Sequence, residues 1–317
     1  MVAVLRLTAL FVGLGLATSR IGLVLHELVG HGGMALAVGG EVGEARLFWF
    51  AGGWIRYTLD EPGPAALLLV NLGGILVELA VGTALVIALA RRRSLAATLV
   101  RGIAAALIVH AGWYFATGTW HGYGDGMLVY HQLGAARYPV AVVVGAAICA
   151  LAYATTIRVL VPLAQALPGS RRARLAGIAA AIALAGGLQI GLALGEIAVR
   201  GDTLYGAIMK PERERVIARE LAAWQREQAA RGIVVDDAAR EALRKKLARQ
   251  HREPPFLPIL GAALGLSVAL ALWRGTKRGQ AHDDNITRGP SARAVAIAGL
   301  CAVGSIVLVI AIDLAFH

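Results

Sequence analysis

The sequence predicts an all-α polytopic membrane protein: about seven transmembrane helices, a small β-hairpin after the first, and an extramembrane helical hairpin. Two observations carry this. Of 317 residues, 57% are hydrophobic and only 16% charged, where soluble domains run at roughly a quarter charged. Apolar runs near or above the ~20 residues that cross a hydrocarbon core recur at 7–38, 64–90, 97–117, 138–165, 174–198, 256–273 and 294–315. Net charge is +11, but the basic residues flank the apolar runs and form no aromatic-basic module. That distribution suits orientation in a lipid bilayer and argues against a nucleic-acid partner. Cys149 and Cys301 both lie inside apolar runs, where they read as small apolar filler and not as a disulfide or metal knuckle.

In order, the chain reads as a membrane core at 1–135, additional transmembrane helices at 136–199, an extramembrane hairpin at 200–254 and a C-terminal helix pair at 255–317. Arg6 followed by Leu7 to Ala17 has the look of a signal peptide. No small-residue cleavage site follows before the histidines, so it is expected to stay as the first span. Arg20 interrupts that span and is expected to snorkel, sit at a kink or pair inside the bundle. Glu44 to Phe50 and Trp54 to Leu59, joined through Ala51-Gly52-Gly53, read as a β-hairpin at the membrane surface. Its aromatic residues fit an interfacial anchor. Its free edge fits an extended substrate segment added to the sheet.

The second span carries Asn71-Leu72-Gly73-Gly74 and Glu78. The small residues permit close approach to the first span. Asn71 is placed to hydrogen-bond a substrate carbonyl or a neighbouring helix. Glu78, an acid within a span, is a default site candidate or a partner for Arg20. After the third span comes Trp120-His121-Gly122-Tyr123-Gly124-Asp125-Gly126-Met127, a glycine-rich break. Irregular backbone at membrane depth is tolerated where it is buried in protein or lines a cavity. Asp125 there is an N-cap, a metal ligand, or both. His110 and His131 read as packing or interfacial residues.

At 200–254, Pro211-Glu212 opens a charged helix ended by Gly232, and Asp236-Asp237 starts a second. The segment from Thr276 to Ala292 reads as a polar loop. Arg91-Arg92-Arg93 with Arg101, Arg171-Arg172-Arg174, and the basic residues from Arg274 to Arg293 fall in alternate loops. The positive-inside rule then makes those loops and the N-terminus cytoplasmic, in an integral multi-pass protein.

The chemistry sits in the first span, at His26-Glu27-Leu28-Val29-Gly30-His31. Two imidazoles and a carboxylate in an apolar helix are costly and mark a site. A His-Glu pair with a second His one turn on is the helix-borne zinc hydrolase pattern, two ligands and a general base. Here the histidines are five apart, so on a regular helix they diverge by about 140°. A π-bulge restores one face, and Gly30 is the place for it. Such a site needs a third ligand. Asp125 is the best candidate, with His121 and Glu78 as alternatives.

This order of features resembles the site-2 protease family of intramembrane zinc metalloproteases over residues 20–135. His26 and His31 match its histidines, Glu27 its base, Asp125 in Gly124-Asp125-Gly126 its third ligand, and Asn71, more weakly, its substrate-binding Asn. The resemblance implies a membrane-embedded Zn2+ metalloendopeptidase, with Glu27 activating water to hydrolyse peptide bonds of a membrane protein or peptide in or near the bilayer. Two departures stand out. The extra residue makes the motif His-Glu-x-x-Gly-His, which resembles that of dipeptidyl-peptidase III. The charge pattern also puts the site towards the extracytoplasmic face, where the family cuts near the cytoplasmic one. The rival readings are a zinc-dependent lipid amidase and a non-catalytic transporter or metal-binding protein, with Glu78, Glu196 and Asp313 as further steps on an ion path.

Overall fold

The computed structural model describes residues 1–92, 94–277 and 291–316. The loop expected between Thr276 and Ala292 therefore lies, from 278 to 290, outside the described residues. The first helical run is α1 (Val2–Val24), a π-helix at Leu25–Gly32 and α2 (Gly33–Ala37). The strands β1 (Glu41–Leu47) and β2 (Gly53–Thr58) follow, then α3 (Pro64–Asn71), α4 (Gly73–Ala88), α5 (Leu95–His121) and α6 (Gly126–Leu133). α7 (Arg137–Thr155) passes through a π-turn at Thr156–Leu160 into α8 (Val161–Gln165). The remainder is α9 (Arg171–Arg200), α10 (Thr203–Ile208), α11 (Glu212–Ala230), α12 (Asp237–Gln250), α13 (Phe256–Lys277) and α14 (Ala292–Ala315).

Among the described residues six helical runs are long and apolar enough to cross a membrane, or seven if α3 and α4 count as one. The apolar run 64–90 is thus not one straight helix. It bends by 58° between α3 and α4, at Leu72, where the chain turns to bring Gly73 and Gly74 against the π-helix. The ends are capped as their residues dictate: Ser94, Ser170 and Ser291 accept from the backbone N–H three residues on.

The bundle is knit around α1, which packs on α14 and α9, while α5 packs on α4 and α7. Leu7, Leu10, Val161, Leu163, Ile178 and Leu272 form one apolar core. Trp120 stacks on Phe256 in a second, with ring centroids 4.2 Å apart. The hairpin is antiparallel, with Val42 opposite Tyr57 and Arg46 opposite Trp54, and one extra residue bulges β1 between Val42 and Ala45. β1 ends at Leu47, short of the expected Phe50, because residues 48–52 leave the ladder to meet buried charges.

Those charges form a clamp. The Arg20 guanidinium donates to the carbonyls of Phe48 (2.6 Å), Phe50 (3.1 Å) and Ala51 (2.6 Å). The Glu196 carboxylate accepts from the N–H groups of Trp49, Phe50 and Ala51, and Asp313 from that of Leu47. Arg200 joins Glu196 to Asp313. Arg20 is therefore committed to this loop and does not pair with Glu78. Glu196 and Asp313 hold the hairpin to α9 and α14.

Arg20 is 2% exposed, so its removal leaves three backbone carbonyls without their donor. Arg20→Leu is expected to destabilise by about 3–5 kcal/mol, read as a lowered thermal midpoint by circular dichroism. Arg20→Lys should recover little of the loss, since one ammonium does not reach three carbonyls arranged for a fork.

Candidate metal centre

The π-helix settles how the two histidines relate. Its i→i+5 hydrogen bonds stack residues five apart, and the rings of His26 and His31 stand 5.0 Å apart, edge to face. The widening needs room, which glycines provide. A Cβ on Gly30 would run into the backbone of Gly74, one on Gly73 would lie 2.6 Å from the Gly30 carbonyl oxygen, and one on Gly74 would lie 2.5 Å from the His26 ring. The Asn71-Leu72-Gly73-Gly74 segment thus acts through its glycines. The Asn71 amide goes neither to a neighbouring helix nor to the histidines; it donates to the Leu67 carbonyl one turn back, 2.8 Å away.

Asp125 arrives from the other side. α5 ends at Gly122 in the left-handed region (φ 66°), and Gly124 repeats that conformation (φ 51°). Gly126 lies so close to the Gly118–Thr119 backbone that no Cβ fits. Asp125 begins α6 but makes no side-chain cap. Its carboxylate faces the histidines instead: Oδ2 is 3.0 Å from His26 Nε2, and Oδ1 is 3.2 Å from His31 Nε2. The three donor atoms lie within 4.8 Å of one another, the one such His/Cys/Asp/Glu group among the described residues. Neighbouring donors on a tetrahedral zinc with bonds of ~2.0–2.1 Å stand about 3.3–3.5 Å apart; each histidine lies near that distance from a different Asp125 oxygen, while the three-donor set is within 4.8 Å.

The outer ring nitrogens decide the protonation. His31 Nδ1 is 2.7 Å from the Val70 carbonyl. A carbonyl only accepts, so Nδ1 carries the proton, and a neutral ring leaves its Nε2 lone pair aimed at Asp125. His26 Nδ1 faces Glu78 Oε1 at 3.5 Å. A lone pair and a carboxylate oxygen repel unless a cation or an added proton lies between them. Asp125 Oδ2 is, moreover, buried without a hydrogen-bond partner. The residues fit a divalent ion.

The two alternative third ligands are placed elsewhere. Glu78, fully buried, lies on the Nδ1 side of His26, away from Asp125, and its second oxygen is 3.0 Å from His110 Nδ1. It stands 3.5 Å from His26 Nδ1 without a hydrogen bond to it, the side from which carboxylates commonly back a metal-bound imidazole. His121 pairs with Glu253 at 3.0 Å, tying the end of α5 to the start of α13. Glu27 is 7% exposed, has no hydrogen bond to another described residue, and lines a cavity of about 890 Å³ together with His26. Sequence reasoning gave His110 only a packing or interfacial role and did not single out Tyr114; the two sit one turn apart on α5 and their rings stack. Tyr114 packs edge-on against His26. A His and a Tyr four apart in an apolar run were the available signal.

A short helix closes the outer end. In α10, Tyr205 packs on Gly52 and Phe48, Met209 just beyond it accepts from the Tyr114 hydroxyl, and the Ile208 carbonyl accepts from Gly124 N–H. The sequence reading had only a hairpin in this region. The signal for α10 was Asp202, which caps it by accepting from Leu204 and Tyr205 N–H and also holds the Trp54 indole. No protein-family model, curated protein or solved structure matches this chain, so the resemblance to site-2 proteases rests on these residues alone.

Partial burial pushes the Asp202 carboxyl up, but the donors Tyr205 N–H, the Trp54 indole and Leu204 N–H, with Arg46 nearby, hold it below its ordinary value. A depressed carboxyl stabilises above its unfolded pKa of about 3.9 and loses that contribution as pH falls through the lower folded value. Docking of α10 on Trp54 is therefore expected to hold at neutral pH and weaken only below about pH 4. Tryptophan fluorescence against pH reads this, and Asp202→Asn should remove that acid-side change.

Proposed function

We propose that this chain is a membrane-embedded metallohydrolase of the zinc metallopeptidase type, cleaving a peptide or related amide bond in or near the bilayer. The observation that carries the reading is the convergence of two imidazoles, one of them fixed by an outer hydrogen bond to the Val70 carbonyl, and one uncapped carboxylate. His26, His31 and Asp125 would hold the ion, and the mixed nitrogen and oxygen donor set suits Zn2+. When bound, the ion supplies Lewis acidity, making water a better nucleophile and a carbonyl a better electrophile.

The remaining steps belong to side chains. Glu27 follows the first ligand in sequence and faces the cavity from which substrate would come. Its carboxylate takes a proton from the attacking water as a C–O bond forms at the carbonyl carbon. It then gives that proton to the leaving nitrogen as the C–N bond breaks, leaving a carboxylic acid and an amine. The Val70 carbonyl keeps His31 in the ligand tautomer, and Glu78, 3.5 Å from His26 Nδ1, is placed to do the same for His26. Asn71 remains a substrate-binding candidate through its sequence position only. The zinc, the protease activity and a cytoplasmic N-terminus are parts of this reading.

Glu27→Gln separates its parts. The variant is expected to retain about one zinc per chain by elemental analysis while losing roughly 10²–10⁴-fold in hydrolysis. Undiminished turnover in that variant overturns the mechanism. Gly74→Ala, which sets a methyl against the His26 ring, should cost zinc occupancy first and leave the helical circular dichroism in place. Wild-type protein that takes up no zinc on titration overturns the metal centre.

A further inference from the structure

Adding water to a carbonyl drives an electron pair onto its oxygen, and hydrolases meet that charge with a hydrogen-bond donor aimed at it. The side chains that define this site are acceptors. Glu27, Asp125 and Glu78 are carboxylates, and both histidines turn Nε2 to Asp125. A bound ion meets part of the developing charge; the rest calls for a donor from the chain.

Most donors along the cavity are spent or distant. Arg20 gives its protons to three carbonyls of the hairpin turn. Thr18 bonds the Leu14 carbonyl, about two turns up α1 from His26. Gln189 lies against Gly15, about three turns up. Thr155 and Thr156 adjoin Val159, which packs on Gly102, about three turns from Tyr114 along α5. His110 turns Nδ1 to Glu78 at 3.0 Å, so in a neutral ring its Nε2 is an acceptor. The Tyr123 hydroxyl donates to Thr117, and that of Tyr205 sits against Gly52 in the hairpin turn.

Tyr114 differs from all of these. Its ring packs edge-on against His26, with centroids 5.6 Å apart, and lines the cavity beside Glu27. Its hydroxyl takes the space that a Cβ on Gly124 would need, one residue before Asp125. The Glu27 and Asp125 carboxylates both act on that hydroxyl through space. Yet its one acceptor among the described residues is the Met209 sulfur, 3.7 Å away. A thioether accepts weakly, and an enclosed phenol usually has a full partner. An oxyanion is a much stronger acceptor than sulfur.

We infer that Tyr114 is a catalytic residue whose hydroxyl donates to the amide carbonyl oxygen as that oxygen gains charge. The inference rests on the metallohydrolase reading. As the water oxygen bonds to the acyl carbon, the π pair moves onto the carbonyl oxygen, and the Tyr114 hydrogen bond passes from sulfur to it. The phenol keeps its proton throughout. When the pair returns and the C–N bond breaks, the nitrogen takes the proton held by Glu27, and the hydroxyl goes back to Met209.

The test uses the full-length protein in lipid nanodiscs, loaded with Co2+, whose visible bands report the ion's surroundings. Acetohydroxamate serves as the anionic oxygen probe. Tyr114→Phe keeps the ring and removes the donor. It is expected to take up Co2+ with wild-type stoichiometry and bands, but to bind acetohydroxamate at least about tenfold more weakly. Tyr57→Phe and Tyr205→Phe remove two other phenols within electrostatic reach of Glu27 and should bind it as the wild type does. On a fluorogenic peptide that the wild type cleaves, Tyr114→Phe should lower kcat about 10²–10³-fold with KM little changed. Undiminished acetohydroxamate binding in Tyr114→Phe, or a loss that appears instead in Tyr57→Phe or Tyr205→Phe, overturns the inference and leaves the metal centre standing. A change in KM with kcat preserved makes Tyr114 a binding residue and overturns it as well. Wild-type protein that takes up neither Co2+ nor Zn2+ overturns the metallohydrolase reading, and the role of Tyr114 falls with it.

Discussion

Everything at the candidate metal centre depends on how closely the π-helix approaches the start of α4. Gly30 meets Gly73 and Gly74 backbone to backbone, with no space for a methyl on any of the three. That contact lets the first helical run widen by one residue, stack His31 over His26 and still pack. It also bends the second run, because α4 turns away from α3 where its glycines reach the π-helix. The same turn sets the Val70 carbonyl at His31 Nδ1. One steric condition thus fixes ring stacking, ring tautomer and helix direction together.

Buried polar groups in this bundle fall into two sets with different tasks. Arg20, Glu196, Asp313 and Arg200 hold the hairpin turn, where residues 48–52 have left the ladder. Such a network is favourable only when its members are satisfied, and here charges of both signs meet backbone donors and acceptors. Asp125, His26, His31 and Glu78 behave otherwise: their hydrogen-bonding capacity is left partly open, with Asp125 Oδ2 and Glu78 Oε1 buried and unpartnered. Open capacity at a point where three donors converge distinguishes a site from a strut.

Much of this was legible in the residues. The apolar run lengths gave the helices, and the break at Trp120–Met127 could be recognised by its glycines. The five-residue spacing of His26 and His31 required a π-bulge if the rings were to share a face, because 3.6 residues per turn allow no other local solution. Other partners were not legible. Glu78 was weighed as a ligand or as a mate for Arg20, and it is neither; it stands behind His26 and beside His110, 32 residues away. His121 looked like a ligand because it precedes Asp125 in the same loop, yet it is drawn to Glu253, 132 residues on.

The sequence by itself determined the helical class, the hairpin, the glycine-rich break and the identity of the candidate donors, since these follow from periodicity, spacing and side-chain chemistry within one segment. Only the tertiary structure decided which carboxylate meets the histidines, which stands behind them, and which is spent on the hairpin. The same two residue types, Asp and Glu, serve all three tasks, and what separates the tasks is where distant helices meet. The cavity beside Glu27 is of the same kind: its width is the distance between α1, α5 and α9, which no single segment encodes.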